Sequence, residues 1–565
     1  MKYFSLVFIL SLFININLVA QDYVSPVDFD ILLSGTFGEL RSNHFHAGID
    51  IKTQGVEGQK IRAIADGYIS RIKVSTWGYG KVIYINHPET GHTSVYAHLQ
   101  SFNKNISKRV KQEHYNKESF ELNFFPKKNE LIVKQGEVIG LSGNTGGSNG
   151  AHLHFEIRET KNSKPINPLQ FNFKVVDNIS PILKKIKFYC FDTTLINGYN
   201  SSKIYNIIKH NNNYTISEIP NIKGDFAIGI YTYDQAEGAY NKNGIYSIKL
   251  YVDSTLYYEF KVDKLDFNTT RYINAHIDYC EKIENNIKFH RCYKLPHNNL
   301  TNYNKLVNNG IINFNDTSIH DLRLEVKDIF DNTSFINFKI KASNIPFTKK
   351  DISKNEINSI FFDYRKMNTF KNKEVKIDLD KFSLYESLNF SYNSFEKNLT
   401  TYSNFHKIHD RNTPLHKNYT LKIKASVPNS IKSKTYIART NDKIKFWHVG
   451  GSWEENWIET KTRDFGTFCI ISDTIPPTIN VINIYNGKKI TDQKNIQIKI
   501  KDIQSGIKSF RGEMNGKWIL FDYEHKKNLL KYTFDDNFEI GKYKFSLIVT
   551  DKVGNISKYE ADLIY

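Results

Sequence analysis

The sequence predicts an all-β protein built from several domains, and three observations lead to this prediction. Its 565 residues exceed the size of one hydrophobic core, so about two to four domains are expected. Hydrophobic residues make up 40% of the chain and aromatic residues 14%, as in folded domains. Short apolar runs with period-two alternation recur between glycine-containing turns, and helical periodicity is weak. We therefore expect a compact N-terminal β-domain of sandwich or barrel type, followed by several β-sandwich modules.

The N-terminal β-domain is expected to cover residues 21–175. Its β-like runs are KIRAIADGYISRIKV, GKVIYINH, HTSVYAHLQ and GEVIGLSGNTGG. The polar, charged stretch 101–131 interrupts these runs, and the composition of its first half is compatible with a helix. We expect this stretch to be a surface excursion beside the neighbouring strands.

Beyond Pro181 the chain is β-rich, and three of its stretches resemble one another. FAIGIYTYDQAEGAYN, LRLEVKDIFDNTSF and YKFSLIVTDKVGNIS each pass from an alternating strand through an Asp and a short turn to a second strand. Such a hairpin is typical of the end of an immunoglobulin-like sandwich. The expected modules are one or two immunoglobulin-like sandwiches in 176–344, a β-rich domain in 345–472 and a C-terminal immunoglobulin-like domain in 473–565, with the Pro-Pro junction of SDTIPPTINV before the last.

Residues 1–20 are predicted to be a secretory signal peptide. Lys2 precedes an apolar run from Phe4 to Ile14, and Ala20 is a small residue at the expected cleavage position. The run is short for a membrane span, although an uncleaved anchor is the alternative, and no later stretch reaches the roughly 20 apolar residues that a spanning helix needs. No cysteine directly follows the run, which argues against a lipid-modified N-terminus. We expect an exported protein of the periplasm, the cell envelope or the medium, without a transmembrane helix after cleavage.

Charge and cysteine content narrow the classes of partner. The net charge of +18 suits an anionic envelope polymer, whereas the absence of an Arg-rich helix or of basic runs interleaved with aromatics argues against nucleic-acid binding. The four cysteines form no C-x-x-C pair, so a zinc knuckle or a redox motif is not indicated. Cys280 and Cys292 are the closest pair in sequence, but spacing alone does not establish a disulfide.

Two segments of the N-terminal β-domain carry residues suited to a metal site. In GAHLHFEIRE a strand would place His152, His154 and Glu156 on one face. In NHFHAGIDIKT, His46 and Asp50 are four residues apart. Imidazole nitrogens and carboxylate oxygens bind zinc, and three protein ligands leave a fourth position for water. A site made of His46, Asp50 and one histidine of the His152/His154 pair fits this count.

A third segment, SVYAHLQ, adds His98 at the end of a β-like run. No H-E-x-x-H motif supplies a glutamate, so histidine would have to be the general base. Each segment is a weak signal alone, because strand histidines more often pack or face solvent and H-x-x-x-D occurs by chance. SGNTGGSNG alone is a plain turn, since no lysine follows to make a phosphate loop. Their combination in one small β-domain is the stronger signal.

The ordered combination resembles the lysostaphin-type zinc metallopeptidases, which cleave peptide bonds in bacterial peptidoglycan. The matching residues are HFHAGIDI, ADGYI, GYGKVIYINHPETGHTSVYAHL and VKQGEVIGLSGNTGGSNGAHLHFEIR, so the resemblance covers roughly residues 35–170. The stretch 101–131 looks longer than the connection common in that family, which leaves the shape of the substrate groove open.

The resemblance implies a role for each candidate residue. His46, Asp50 and His154 would bind one Zn²⁺ per chain, and His98 and His152 would be the catalytic histidines. The implied activity is that of an exported zinc metalloendopeptidase acting on peptidoglycan cross-bridges or stem peptides. Envelope proteins are further candidate partners, through the C-terminal sandwiches.

Two alternatives belong to other classes. A non-catalytic peptidoglycan-binding regulator of another hydrolase would be expected to lack part of the histidine and aspartate set, which is intact here. A purely structural adhesion protein does not account for that set at all. Arg41, Asn43 and His44 are candidates, by their proximity in sequence, for groups that orient the zinc ligands. The alternative for each of them is an exposed residue of a polar loop.

The glycine loop before the His-x-His strand is the remaining candidate segment. Asn144 and Thr145 either line the groove or only form the turn.

Overall fold

The computed structural model describes residues 23–211, 213–343, 360–534 and 539–565. Strands hold 47% of the chain and helices 7%, which confirms the all-β class. The predicted signal peptide, residues 1–20, lies outside the described residues, as does the expected boundary at 344/345. Among the described residues, no helix is long and apolar enough to cross a membrane.

The N-terminal region, residues 23–175, contains twelve strands and one α-helix among its described residues. They are β1 (Leu33–Gly35), β2 (Ile49–Lys52), β3 (Lys60–Arg62), β4 (Gly67–Val74), β5 (Lys81–His87), β6 (His92–Ala97), β7 (Ser101–Phe102), α1 (Lys104–Lys117), β8 (Leu122–Phe124), β9 (Ile132–Val133), β10 (Val138–Leu141), β11 (His152–Glu159) and β12 (Pro165–Ile166). The main sheet has the order β1-β2-β11-β6-β5-β4-β8, with β12 beside β11 and β9 beside β4, and β3-β10-β7 form a small second sheet.

The core of this region lies against one face of the main sheet. Period-two alternation turns Ile49 and Ile51 of β2 and Leu153 and Phe155 of β11 into it, all fully buried. The opposite face of β2 and β11 is left for polar side chains. The candidate site lies on this polar face.

Helix α1 confirms the helix expected in the first half of the 101–131 stretch. It begins after Asn103, whose side chain accepts a hydrogen bond from the N–H of Ile106 at 3.0 Å and so caps the first turn. Ile106 and Val110 are buried in the core of the N-terminal region, so the 101–131 stretch packs against that region.

The second region, residues 176–343, is a β-sandwich. Its strands are β13 (Ile182–Cys190), β14 (Leu195–Ile196), β15 (Lys203–Asn206), β16 (Ile208–His210), β17 (Asn213–Thr215), β18 (Asn221–Lys223), β19 (Phe226–Tyr233), β20 (Ser247–Val252), β21 (Thr255–Lys261), β22 (His290–Arg291), β23 (Tyr303–Leu306), β24 (Ile319–Lys327) and β25 (Thr333–Ala342), with α2 (Ile273–His276) and α3 (Tyr279–Asn285). The sheet β15-β13-β19-β22 packs on a larger sheet that contains β18-β25-β24-β20-β21-β23.

Residues 360–473 form a second sandwich. The strands are β26 (Ile360–Phe362), β27 (Asn368–Lys371), β28 (Val375–Leu379), β29 (Leu388–Phe390), β30 (Tyr392–Phe395), β31 (Phe405–Ile408), β32 (Pro414–Lys424), β33 (Thr435–Thr440), β34 (Phe446–Gly450), β35 (Ser452–Glu454), β36 (Trp457–Asp464) and β37 (Gly466–Ser472), with the short helix α4 (Asn429–Lys432). The sheets β27-β28-β32-β36-β35 and β30-β31-β37-β33-β34 bury a common core.

The C-terminal region, residues 474–565, is the last sandwich. It contains β38 (Thr478–Val481), β39 (Lys488–Lys489), β40 (Asn495–Lys501), β41 (Ile507–Met514), β42 (Lys517–Trp518), β43 (Asp522–Glu524), β44 (Leu529–Thr533), β45 (Lys542–Asp551) and β46 (Ile556–Ile564). The sheets β38-β40-β44-β43 and β39-β46-β45-β41-β42 enclose its core.

Two of the three similar stretches are hairpins, as predicted. Strand β24 pairs with β25 and β45 pairs with β46, both antiparallel. The prediction is wrong for the stretch 226–241, because β19 pairs with β13 and β22 in one sheet and the following strand β20 lies in the other. The residues after β19 therefore cross between sheets.

The N-terminal and second regions share a core. Phe37, Leu40 and Phe45, from the loop before β2, are buried in the hydrophobic cluster of the second region. The N–H of Phe45 also donates to Thr270 Oγ1 at 2.9 Å. The loop that carries His46 is therefore held by the neighbouring sandwich.

All four cysteines are free. Cys292 is fully buried, and the Cys280–Cys292 disulfide considered from sequence is not formed.

Candidate metal centre and active site

Three of the five predicted site residues converge on one point. Asp50 of β2 lies opposite His154 of β11 in the antiparallel register, so both side chains project from the same face. His46 lies in the loop that leads into β2. The distances are 3.0 Å from His46 Nε2 to Asp50 Oδ1, 2.9 Å from His154 Nδ1 to Asp50 Oδ1 and 2.9 Å from His46 Nε2 to His154 Nδ1.

The hydrogen bonds around these residues leave two imidazole nitrogens and a carboxylate oxygen facing one another, all three of them potential metal-ligand atoms. His46 Nδ1 is 2.8 Å from the carbonyl of Thr36, which only accepts, so the proton is on Nδ1 and the lone pair of Nε2 faces inward. His154 Nε2 is 2.8 Å from Glu156 Oε1, which leaves Nδ1 facing Asp50. Two nitrogen lone pairs and a carboxylate oxygen need a cation or a proton between them.

This donor set fits zinc. Tetrahedral Zn²⁺ with bonds of about 2.1 Å holds its ligand atoms ~3.4 Å apart, so the observed triangle would widen by about half an ångström. His46, Asp50 and His154 are 4%, 7% and 4% exposed, which suits a site that a bound ion keeps in register. Their ligand atoms all lie within 4.8 Å of one another, so they can share a single ion.

A buried carboxylate holds His154 from behind. Glu156 is fully buried and accepts from His154, from Arg158 Nε at 2.6 Å and from the hydroxyl of Tyr79. Burial would raise the pKa of Glu156, but Arg158 and His154 hold it well below its ordinary range. Burial lowers the pKa of His154, and its bonds to Asp50 and Glu156 outweigh this and raise it to about 9.

Arg41 supports the other carboxylate. Its guanidinium donates to Asp50 Oδ2 at 2.7 Å and to Glu39 Oε2 at 3.1 Å. Burial would raise the pKa of Asp50, but the surrounding histidines hold it well below the usual value. Asp50 therefore remains an anion with Oδ1 turned toward the histidines.

His98 and His152 lie beside this triad with their rings 4.8 Å apart. His98 Nδ1 is 2.8 Å from the carbonyl of Thr145, and His152 Nδ1 is 2.9 Å from that of Gly150. Both Nδ1 atoms therefore carry the proton, and both Nε2 atoms keep a free lone pair. His152 Nε2 is 3.5 Å from Asp50 Oδ1.

The two histidines differ in environment. Burial, His154 and His152 lower the pKa of His98 to about 3, so it is neutral at pH 7. Its backbone lies in the left-handed region, with φ +60°, directly after the end of β6. His152 is half-buried at the rim. One proton acceptor is therefore shielded and the other faces the opening.

An open groove of about 1300 Å³ leads to these residues. All five predicted residues line it. Its walls come from residues before β1, from the loop after β4, from the glycine loop before β11 and from Asn241 of the second region. The triad is therefore reached from solvent through this groove.

The predicted orienting residues differ in whether they contact the site. Arg41 contacts Asp50 directly, whereas Asn43 and His44 are exposed. Thr145 does not line the groove, and its carbonyl orients His98. Asn144 is likewise absent from the lining.

Sequence reasoning assigned no role to Tyr79, Glu156 or Arg158. It did place Glu156 on the face of His152 and His154 through the period-two pattern, but without a contact to either. Tyr79 comes from a distant turn, and its ring stacks on His154 with centroids 5.0 Å apart. No local pattern in the sequence connects it to the strand.

The C-terminal region contacts the glycine loop behind His152. Lys526, in the β43–β44 turn, donates to Asn144 Oδ1 at 2.9 Å and to the carbonyl of Ser148 at 2.7 Å. The ring of the neighbouring His525 lies 3.7 Å from that of Trp77, measured between centroids. Ser148 in turn contacts His152 Nδ1 through its hydroxyl at 3.1 Å.

Two known families match parts of this chain. Residues 44–115 and 121–168 match peptidase family M23, and residues 359–473 match the Zu5-like domain. The DD-carboxypeptidase/endopeptidase Mpg of Neisseria meningitidis serogroup B is 35% identical over 130 residues, which are 23% of each protein. The glycyl-glycine endopeptidase ALE-1 of Staphylococcus capitis is 28% identical over 166 residues, which are 29% of this chain and 36% of ALE-1.

Among solved structures, the catalytic domain of lysostaphin from Staphylococcus simulans is 23% identical, with a TM-score of 0.19; the match covers 25% of this chain and 90% of that domain. The chain spans a quarter to about a third of the curated relatives described above. The N-terminal region of this chain, over residues 44–168, therefore belongs to peptidase family M23, the family of the lysostaphin-type peptidases.

Proposed function

We propose that this chain is an exported zinc metalloendopeptidase that hydrolyses peptide bonds in peptidoglycan cross-bridges or stem peptides. The observation that carries the proposal is the convergence of three acceptor atoms, His46 Nε2, Asp50 Oδ1 and His154 Nδ1, at the floor of an open groove. Two further histidines with free Nε2 atoms stand beside them. The relatives named for endopeptidase activity support the same reaction.

His46, Asp50 and His154 would hold the zinc ion. Zinc bound there supplies Lewis acidity toward a peptide carbonyl and lowers the pKa of a coordinated water. Thr36 and Glu156 keep the two imidazoles in the tautomers that ligation needs, and Arg41 keeps Asp50 turned inward.

His98 and His152 would hold and move the proton. Since their Nδ1–H groups are bound to backbone carbonyls, only their Nε2 atoms can accept from an attacking water. Once protonated, the Nε2–H groups can stabilise charge on the carbonyl oxygen, and the same atoms can then return the proton to the leaving amine. The half-buried position of His152 at the rim favours it for exchange with solvent.

The other regions would position the enzyme in the envelope. Their sandwiches offer surfaces for envelope proteins or for the wall polymer, and the net charge of +18 suits an anionic polymer. The predicted export through residues 1–20 would bring the chain to the compartment that contains this substrate.

The muropeptide profile of purified peptidoglycan incubated with the mature chain tests the proposal, with and without a zinc-selective chelator. Loss of cross-linked species that the chelator prevents is the expected result, and the new termini identify the bond that is cut. An unchanged profile with zinc bound would contradict the proposal and favour the non-catalytic regulator of another wall hydrolase.

Two variants separate the roles of the histidines. His154→Ala is expected to lose both zinc and activity, because it removes a ligand. His98→Ala is expected to keep most of the zinc and lose activity, because it removes only a proton acceptor. Equal zinc loss in the two variants, measured by metal analysis, would show that these roles are assigned wrongly.

A further inference from the structure

The second and C-terminal regions repeat one polar arrangement. Asp177, Asp234 and Asp328 place carboxylate oxygens within 4.8 Å of one another, and so do the aspartates at 473, 502 and 551. In both regions the first aspartate precedes the sandwich, and the second directly follows a strand, β19 or β40. The third lies at the end of the first strand of the hairpin, directly after β24 for Asp328 and as the last residue of β45 for Asp551.

Matching hydrogen bonds shape the two clusters. Asn332 Nδ2 joins the carbonyl of Asp177 at 3.0 Å to Asp328 Oδ2 at 2.7 Å. Asn555 Nδ2 joins the carbonyl of Asp473 at 2.9 Å to Asp551 Oδ2 at 2.7 Å. The two aspartate clusters are therefore held by the same pattern of asparagine hydrogen bonds.

The cluster in the second region contains groups that have no protein partner. Asp234 is 2% exposed, and its Oδ1 has no hydrogen bond. Asn243, also 2% exposed, exchanges both backbone hydrogen bonds with Asp234, at 3.1 and 2.8 Å. Such a pair puts both side chains on the same face, so the Asn243 amide lies beside the Asp234 carboxylate. Neither Oδ1 nor Nδ2 of Asn243 has a partner.

The charges of this cluster are not neutralised by basic side chains. Among the described residues, none of Asp177, Asp234 and Asp328 has a Lys or Arg within ion-pair distance, and the adjacent Lys327 pairs with Asp331 at 3.0 Å. Burial, Asp177 and Asp328 raise the pKa of Asp234 to about 8. Buried carboxylates are stable when they are paired or coordinate a metal.

We propose that Asp177, Asp234 and Asp328, with the amide oxygen of Asn243, bind one calcium ion. The donors are all oxygens, which hard cations such as Ca²⁺ prefer, and Ca²⁺ accepts six to eight of them, with water completing the shell. Zinc prefers the imidazole-rich triad in the N-terminal region. The calcium site is thus separate in place and in chemistry from the candidate zinc centre.

Calcium here would fix the junction between the first two regions. Asp177 lies in the segment that joins them, and Asp234 begins the loop that crosses between sheets. Ala236 of that loop is buried in the N-terminal core, and Asn241 lines the groove. One ion would therefore hold the linker, the sandwich and a wall of the groove together.

The test measures calcium bound to the full mature chain by equilibrium dialysis at millimolar Ca²⁺, the range of weak extracellular sites. Asp234→Asn is expected to bind one calcium ion per chain fewer than wild type. Asp331→Asn is the matched control, since this aspartate is in the same turn as Asp328 but its side chain is 84% exposed. It is expected to bind as much calcium as wild type.

Zinc content and the circular dichroism spectrum check that Asp234→Asn is folded. If it is not, Asn243→Ala decides, because it keeps all three carboxylates and is expected to weaken calcium binding. The proposal is overturned if wild type binds no calcium, or if the folded Asp234→Asn, or Asn243→Ala in its place, binds calcium as wild type does.

Discussion

Replacing Glu156 by Gln is expected to weaken zinc binding and the fold together. The carboxylate is fully buried and accepts from His154 Nε2 at 2.8 Å and from Arg158 Nε at 2.6 Å. Glutamine keeps an oxygen for one of these donors but presents an N–H₂ group to the other. In either orientation of the amide, the negative charge that pairs with the buried Arg158 and strengthens the hydrogen bond from His154 is lost, so both contacts are weakened.

The expected magnitudes follow from these two losses. Removing a group that orients a zinc-bound histidine costs about 10- to 100-fold in metal affinity, or ~1.4 to 2.7 kcal/mol. Breaking a buried ion pair by removing one partner costs about 3–5 kcal/mol of unfolding free energy. The pair here is well shielded, since the Arg158 side chain is 10% exposed and that of Glu156 is 0% exposed.

A competition titration against a chromophoric zinc chelator measures the affinity, and urea unfolding measures the stability. Glu159→Gln is the matched control, because Glu159 ends the same strand and pairs with Lys264 at 2.7 Å at the surface. Its loss is expected to change stability by at most ~1 kcal/mol and zinc affinity not at all. Equal zinc affinity in Glu156→Gln and Glu159→Gln would refute the orienting role of Glu156, whatever the stability shows.

Three other changes test the contacts around the site and the buried histidines. Phe45→Ala is expected to lower the unfolding free energy by about 3–5 kcal/mol and to weaken zinc binding, because Phe45 is 1% exposed in the second core and precedes His46. Lys526→Met is expected to speed hydrogen exchange in the glycine loop with zinc content unchanged, because it removes the bonds to Asn144 and Ser148. His406→Leu is expected to flatten the loss of stability in acid. Burial lowers the pKa of His406 from 6.5 to about 4, so the unfolded chain binds its proton first and stability falls by up to ~3 kcal/mol as the pH drops through that window.

A specific experimental result would contradict each of these three predictions. Wild-type zinc affinity in a destabilised Phe45→Ala chain would show that the shared core does not support the ligand loop. Unchanged exchange in Lys526→Met would show that the C-terminal contact does not restrain the glycine loop. Acid unfolding is followed by tryptophan fluorescence in wild type and in His406→Leu. If both lose stability equally as the pH falls, His406 takes up its proton as readily in the folded chain as in the unfolded one. Trp447, Trp453 and Trp457 report on that sandwich.

The sequence by itself determined the all-β class and the residues of the candidate site. Period-two alternation is a local property, so β11 and the shared face of His152, His154 and Glu156 could be predicted from neighbouring letters. The excursion helix was likewise visible, because its composition changes locally. The motif spacing also grouped His46, Asp50 and His98 with that strand, through resemblance to a known family.

The tertiary structure decided what surrounds those residues. The antiparallel register places Asp50 opposite His154, and the turn that brings Tyr79 onto His154 is far away in sequence. Only the packed chain shows that Phe45 belongs to the core of the second region and that Lys526 reaches the loop behind His152. These contacts join residues hundreds of positions apart, and the energy that selects them comes from burial and charge pairing in the assembled chain, which no local pattern encodes.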